Sequence, residues 1–453
     1  MRICAYVQES YAKPAYKNES MDARKFAGLR VIIDCLERAG YVVEYAGLAT
    51  VHRYDIVLVS LTADCDWWSY IAERVRWQRG DYKVIIGGAG LLHITPFLPF
   101  GDYFIFGRGE NLIVPLVQGL ERDGGFSHES IAESRSFSVD NIYRIAQAEA
   151  PYPYPVELSN GQVFREGAIG CNHKCLFCGY TWQRKFKSPD ACYKMDDSLF
   201  GGIADKERAL LDMMCADDEI DFAHLRTTAI DGMSERLRLM VGKPITREVL
   251  SRFLSAMLES PAKPHRLKIY NLIGLPTETE ADWQEFVDTV AQVDAEAPTK
   301  ERQWGIILHS TPFRAMPTTP MACAPMSYRN YRGSVGRTLG PGLRGNVIYQ
   351  GRSIWACESL WTDSLPTVFL SASAHRGSET DTENIIRLAS TKAFWRASAA
   401  IRLATLEKYF DAARLFGAFT VETLPSRYLR SYAVVEKMWP KGGADDARTE
   451  TAD

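Results

Sequence analysis

The chain has 453 residues, 46% of them hydrophobic, and a formal net charge of -3. That composition is ordinary for a globular protein, and the length predicts two to three domains. The charge balance excludes a global electrostatic attraction to nucleic acid or a membrane surface, and no apolar run approaches the ~20 residues of a membrane span. The opening MRICAYVQES has no basic region followed by an apolar stretch, so no secretory signal is expected. The ten cysteines are mostly scattered, which fits a cytoplasmic thiol and metal chemistry rather than a disulfide framework.

In chain order, RICAYV reads as a short strand. ARKFAGLRVIIDCLERAG has the apolar spacing of a helix that stops at Gly40. YVVEYAG is the next strand, and DIVLVSL is a continuous apolar run, as expected of a strand buried on both faces. DWWSYIAERVRWQRG reads as a helix, YKVIIGG and DYFIFG as strands, and Glu110 to Leu120 as a further helix. This alternation predicts a doubly wound, Rossmann-like α/β domain over residues 1–125. Residues 126–160 include PYPYP and lack firm periodicity, so they read as a linker.

Alternation resumes over residues 161–325. QVFREGAIG is expected to be a strand running into a cysteine group, with FAHLRTTAI, LKIYNLIGL and QWGIILHS as later strands. ITREVLSRFLSAML and EADWQEFVDTVAQV have the spacing of amphipathic helices. Residues 326–440 are loop-rich and then helical, and residues 441–453 are polar enough to be expected disordered.

The one tight cysteine group is Cys171-Asn-His-Lys-Cys175-Leu-Phe-Cys178. Three thiolates in so short a loop suit one [4Fe–4S] cubane, satisfying three irons and leaving the fourth open to a bidentate small molecule. The plainer alternative is a zinc knuckle. Zinc, however, usually takes four protein ligands from paired C-x-x-C motifs, and His173 lies too close in sequence to complete such a site. Cys4, Cys35 and Cys65 read as ordinary thiols rather than as ligands of a second cluster. Cys35 falls on an apolar helical stripe, and Cys65 is flanked by Asp64 and Asp66.

The C-x-x-x-C-x-x-C spacing after a strand, with Phe177 just before the third cysteine, resembles the radical S-adenosylmethionine superfamily. IYNLIGLPTETEADW resembles the strand-and-turn segment that such proteins carry downstream, with Gly274 and Pro276 at the turn and Glu278 or Glu280 capping the next helix. TTAIDGMSERLRLMVGKPIT, TPFRAMPTTPMACAP and SASAHRGSETDTENII more loosely resemble the branch with an N-terminal cobalamin-binding-type domain. The resemblance implies that the second domain is a partial parallel (β/α) barrel followed by a helical C-terminal segment, with the active site at the strand carboxyl ends. It also implies that S-adenosylmethionine binds the open iron through its amine and carboxylate and is cleaved to a 5′-deoxyadenosyl radical. Cys171, Cys175 and Cys178 would be the metal ligands. Phe177, Arg226, Thr227, Asn271, Gly274 and His309 would be the positions facing S-adenosylmethionine. Asn271 lies within an apolar strand and needs a partner, for which a neighbouring backbone group serves as well as a cofactor. His309 is as readily a satisfied core or rim histidine.

The same resemblance implies cobalamin in the first domain, with the corrin tail entering at Ser60-Leu61-Thr62, at Gly87-Gly88 and near Glu110, all after strands. The D-x-H-x-x-G motif whose histidine ligates cobalt in that branch is absent, so a purely structural α/β domain is the competing reading. The expected function is cobalamin-dependent methylation of an unactivated carbon, with an electron donor such as flavodoxin or ferredoxin as partner. A cobalamin-independent rearrangement, cyclisation or oxidation is the second reading. A third is modification of a nucleic acid, because Arg329, Arg332 and Arg337 lie among aromatics in a stretch without acidic residues. A small-molecule or peptide substrate is favoured over nucleic acid, since such runs are more often solvated loops. Trp67, Trp68, Trp355 and Trp361 are expected to pack in the core.

Overall fold

The computed structural model describes residues 1–7, 27–61, 66–78, 80–88, 90–91, 99–123, 136–139, 142–145, 152–158, 161, 163–166, 175–178, 220–298, 302–316, 319–327, 346–360 and 364–419. Several sequence expectations fall outside these residues: Cys171, Thr62, Cys65, Trp361, the arginine-rich stretch 329–337 and the terminal residues 441–453.

The described residues form an α/β fold around two mainly parallel sheets. The first sheet contains β1 (Ile3–Tyr6), β2 (Val43–Ala46), β3 (Ile56–Ser60), β4 (Lys83–Gly87), β5 (Tyr103–Phe106), β6 (Ser136–Val139) and β7 (Ile142–Ile145). Their order is β2-β1-β3-β4-β5-β7-β6, with only the β6–β7 pair antiparallel. Helices α1 (Ala27–Arg38) and α3 (Glu110–Asp123) cover one face, where Leu36, Ile113 and Val117 meet Ile56, Leu58, Ile85 and Ile105. Helix α2 (Asp66–Arg74) covers the other, where Trp67 and Trp68 meet Val57, Val59, Val84 and Ile86. Helices on both faces explain why β3 and β4 read as unbroken apolar runs. Helix α1 stops as expected, with Gly40 at φ +92 and Tyr41 N–H donating to Leu36 O at 3.0 Å.

The stretch expected to be a linker departs from that expectation in two ways. Strand β7 pairs with β5 and extends the first sheet. Strands β6 and β7 have four residues each, too few to show a period. Strands β8 (Val156–Glu157) and β9 (Val163–Phe164) pair antiparallel as a small separate ribbon, so QVFREGAIG begins as a hairpin arm. This strap is tied to α1. Tyr152 Oη donates to Asp34 at 2.6 Å, and the Arg38 guanidinium lies 3.7 Å from the Tyr154 ring centroid.

The second sheet contains β10 (Thr227–Ala229), β11 (Arg266–Ile273), β12 (Trp304–Pro312), β13 (Asn346–Gln350) and β14 (Ile354–Leu360), ordered β10-β11-β12-β14-β13. All pairs are parallel except β13–β14. After β10 come the short α4 (Glu235–Met240) and α5 (Arg247–Glu259), and α6 (Glu280–Glu296) joins β11 to β12. Apolar residues of α5 and α6 bury Leu267, Ile269, Ile306, Leu308 and Ile354 on one face of this sheet. The cap of α6 differs from expectation. Thr279 N–H donates to Asp282 at 2.8 Å, whereas Glu278 accepts from Leu275 N–H and Trp283 Nε1 and shapes the preceding turn. The C-terminal helical run is broken into α7 (Ser364–Arg376), α8 (Glu379–Ala389), α9 (Lys392–Arg396), α10 (Ala399–Tyr409) and α11 (Ala412–Phe416). Among the described residues no helix is long and apolar enough to cross a membrane.

One apolar core joins the two sheets. Trp67, Trp68, Leu91 and Phe100 of the first part pack in a single cluster with Leu237, Val241, Leu275, Phe313 and α7. Trp68 is fully buried, donates from Nε1 to Leu370 O at 3.1 Å, and contacts the rings of Phe394 and Trp395.

Candidate functional site

Cys175 and Cys178 lie on a tight turn closed by Cys178 N–H to Cys175 O at 3.2 Å. Neither is in a disulfide; Cys175 is buried and Cys178 half-buried. The turn is held from both sides: Leu176 N–H donates to Val241 O at 2.8 Å, and Leu176 O accepts from Met321 N–H at 3.3 Å. Leu176 and Phe177 rest on the shared core. Phe177 therefore fixes the loop in place by burying its ring.

Two buried guanidinium groups organise what the loop leans on. Arg238 donates to the carbonyls of Ile245, Gly232 and Met233, wrapping the segment that carries Val241. Arg376 is 1% exposed and donates to Ala322 O, Ala324 O, Leu415 O and Gly417 O, which fixes the turn that carries Met321. Both are pushed down to about 10 by burial, because carbonyl dipoles only partly replace the lost hydration. Beside the turn, Lys243 forms a buried ion pair with Asp231, which sits in the left-handed region at φ +52 just past β10.

The other expected positions do not all converge here. Gly274, at φ +72, makes the turn after β11, a conformation that favours glycine. Thr227 begins β10 rather than ending it, and Arg226 is exposed at the amino-terminal end of that strand, bonded to His265. The strand is shorter than FAHLRTTAI suggested, so Arg226 stands at the end of the sheet opposite the cysteine turn. Asn271 shares its face with Leu267 and Ile269, since residues two apart point the same way, and that is the helix-covered face. Neither amide atom of Asn271 has a partner among the described residues. His309 lies on the opposite face, in register with Tyr270, with ring centroids 5.3 Å apart. Burial and then the nearby Lys268 push its imidazole down to about 4, so it is neutral at physiological pH.

In the first sheet, Ser60, Gly87, Gly88 and Glu110 line one cavity of about 130 Å³ at the carboxyl ends of β3, β4 and β5. Leu58, Ile85, Ile105 and Ile113 form its apolar walls, and Phe164 and Glu166 of the strap close it. Arg108 at the mouth makes a bidentate pair with Glu166, at 2.7 and 2.5 Å, and contacts Glu110 at 2.6 Å. Sequence reasoning missed the Arg108–Glu166 pair because the two residues are far apart in the chain. Leu61 is fully buried and contributes backbone to the neighbouring loop rather than lining the cavity.

The two glycines of β4 and its following loop have different reasons to be glycine. A Cβ on Gly88 would lie 2.3 Å from Leu61 O, and Gly88 has φ +104, so its own protein backbone already demands glycine. A Cβ on Gly87 would meet Ile105 O at an ordinary 3.5 Å and point into the cavity.

No family model matches the chain, and no curated protein matches it. Among solved structures, it is similar to the apo form of OxsB, a cobalamin-dependent S-adenosylmethionine radical enzyme, at 10% sequence identity and a TM-score of 0.23. That alignment covers 69% of this chain and 44% of the other, so the chain spans less than half the length of that protein. Similarity at this level assigns neither a fold nor an activity.

The glycine geometry sets a direct expectation. Gly88→Ala should lower stability by at least about 2 kcal/mol through backbone strain and the clash with Leu61, whereas Gly87→Ala should change it by less than about 1 kcal/mol. Chemical denaturation of both variants measures the difference; equal stability would contradict this account of Gly88.

Proposed function

We propose that this chain is a radical S-adenosylmethionine enzyme in which Cys171, Cys175 and Cys178 hold a [4Fe–4S] cluster. The observation that carries the reading is the C-x-x-x-C-x-x-C spacing, two of whose thiols sit on a turn clamped between Val241 and Met321. Among the described residues there is no group of three metal-binding side chains, as follows from Cys171 lying outside them. The adjacent thiols of Cys175 and Cys178, neither of them in a disulfide, fit cluster ligation. When bound, the cluster and S-adenosylmethionine supply a 5′-deoxyadenosyl radical after one-electron reduction by a partner such as flavodoxin or ferredoxin.

The chain's own residues hold and shield this chemistry. Leu176 and Phe177 keep the turn against an apolar core that excludes water. The Lys243–Asp231 pair offers fixed charge near the turn for the amine and carboxylate ends of an amino acid. His309, neutral, offers a hydrogen bond without adding charge to the interior.

The first-sheet cavity supports a cobalamin-dependent methylation. Its apolar walls and the open Cβ direction of Gly87 fit a flat, mostly apolar base of the corrin tail, while Ser60 and the Arg108–Glu110 pair supply polar groups at the rim. Cobalamin, when bound, supplies the methyl group.

Anaerobically reconstituted protein should carry about four irons per chain. Cys175→Ala should lose both the iron and the cleavage of S-adenosylmethionine to 5′-deoxyadenosine, read by iron assay and chromatography. Full cleavage by that variant would remove the proposal. For cobalamin, wild type and Gly87→Val purified from cells given hydroxocobalamin should differ at least about tenfold in corrin per chain, because the added methyls occupy the cavity. Equal corrin content would refute the site, and a corrin-free, cluster-loaded wild type would favour radical chemistry without cobalamin.

A further inference from the structure

Residues 268, 270 and 272 of β11 alternate with its buried positions and are only half-buried, so they lie on the face of the second sheet that α5 and α6 leave uncovered. Register places Thr227 of β10 beside Lys268, and Ile307 and Cys357 of β12 and β14 in the same row. The next row holds Ala229, Tyr270, His309 and Ser359. Partners in parallel strands share a face, about 4.8 Å apart.

Among the described residues this face carries positive charge without a compensating carboxylate. The Lys268 ammonium lies 4.6 Å from the Tyr270 ring centroid, and Arg266 sits over Trp355. Neither the Lys268 ammonium nor the Tyr270 hydroxyl has a hydrogen-bond or ion-pair partner among the described residues, and the buried Thr227 Oγ1 has none either. Glu358, the acidic residue of β14, is in register with Leu308 and points to the helix-covered side. Lys243, near the cysteine turn, is treated differently, since it pairs with Asp231. A half-buried ammonium that has lost water and gained only a ring face leaves electrostatic stabilisation unused.

We propose that this face binds an anionic group of the substrate, a carboxylate or a phosphate, through Lys268, with Tyr270 Oη and Thr227 Oγ1 donating hydrogen bonds. The inference rests on the radical reading of the same sheet and adds to it the chemical class of the substrate. Asp231 N–H reaches Tyr270 O at 3.5 Å, so Lys268 lies about two residues below the level of Asp231, ~7 Å along the strand. The anion therefore belongs to the inner end of the site, and the reacting carbon lies between it and the cysteine turn.

The test is calorimetric titration of the anaerobic, cluster-loaded protein with phenyl phosphate and with benzoate, with and without saturating S-adenosylmethionine. At least one probe should bind saturably, Lys268→Gln should weaken it by about tenfold or more, and Lys268→Arg should retain most of it. The probe should bind as well with S-adenosylmethionine present, and Lys268→Gln should leave the affinity for S-adenosylmethionine unchanged. Absence of saturable binding by either probe, or equal binding by Lys268→Gln with an unchanged melting temperature, overturns the proposal. Competition between probe and S-adenosylmethionine, with loss of S-adenosylmethionine affinity in Lys268→Gln, overturns it too, because the anion would then be the cofactor's carboxylate. Iron content and S-adenosylmethionine cleavage, measured on the same wild-type sample, report separately on the radical reading.

Discussion

Trp67 and Trp68 on α2 press the first sheet onto the carboxyl-terminal side of the second, and the cysteine turn rests on the core formed at that contact. The contact is apolar on both sides: Val241, Leu275 and Phe313 come from the second sheet's loops, and Phe394 and Trp395 from the C-terminal helices. Large aromatic side chains bury much area with few rotatable bonds, so they set one geometry at modest entropic cost. The cysteine turn adds Leu176 and Phe177 to the same core, which makes its position a consequence of domain packing and not only of local chain geometry. Arg376 completes the arrangement by gathering four carbonyls from two distant segments, a task no apolar residue can perform.

Much of the architecture is legible in sequence because its strands are buried on both faces or alternate cleanly. DIVLV, KVIIG and LKIYNLI announce themselves by pattern, and Gly40 marks a helix end by its backbone preference. The four-residue strands β6 and β7 escape because so short a segment carries no period, and their sheet membership comes from pairing with β5. The limits of β10 escape for a related reason: three residues pair, and the apolar residues around them serve turns.

The candidate site is legible as chemistry and much less so as geometry. The cysteine spacing stands out in the sequence, and Ser60, Gly87, Gly88 and Glu110 do meet at one cavity. Sequence shows that glycine is present and leaves open why. The clash with Leu61 explains Gly88, and the cavity is what remains beside Gly87. Side-chain direction is the other blind spot. Asn271 and Tyr270 are adjacent in sequence, yet one faces the helices and the other faces His309, a distinction that depends on which face the helices choose to cover. Contacts between distant residues, such as Arg108 with Glu166, leave no local mark at all.

The central claim is that three cysteines leave one iron of the cluster open to the amine and carboxylate of S-adenosylmethionine. Electron paramagnetic resonance of the anaerobically reduced protein tests it most directly. Addition of S-adenosylmethionine should change the cluster's spectrum, and cofactor labelled with nitrogen-15 at the amine should show hyperfine coupling to the cluster. An unchanged spectrum at saturating cofactor, with no such coupling, would mean that the fourth iron has another ligand and would contradict the account.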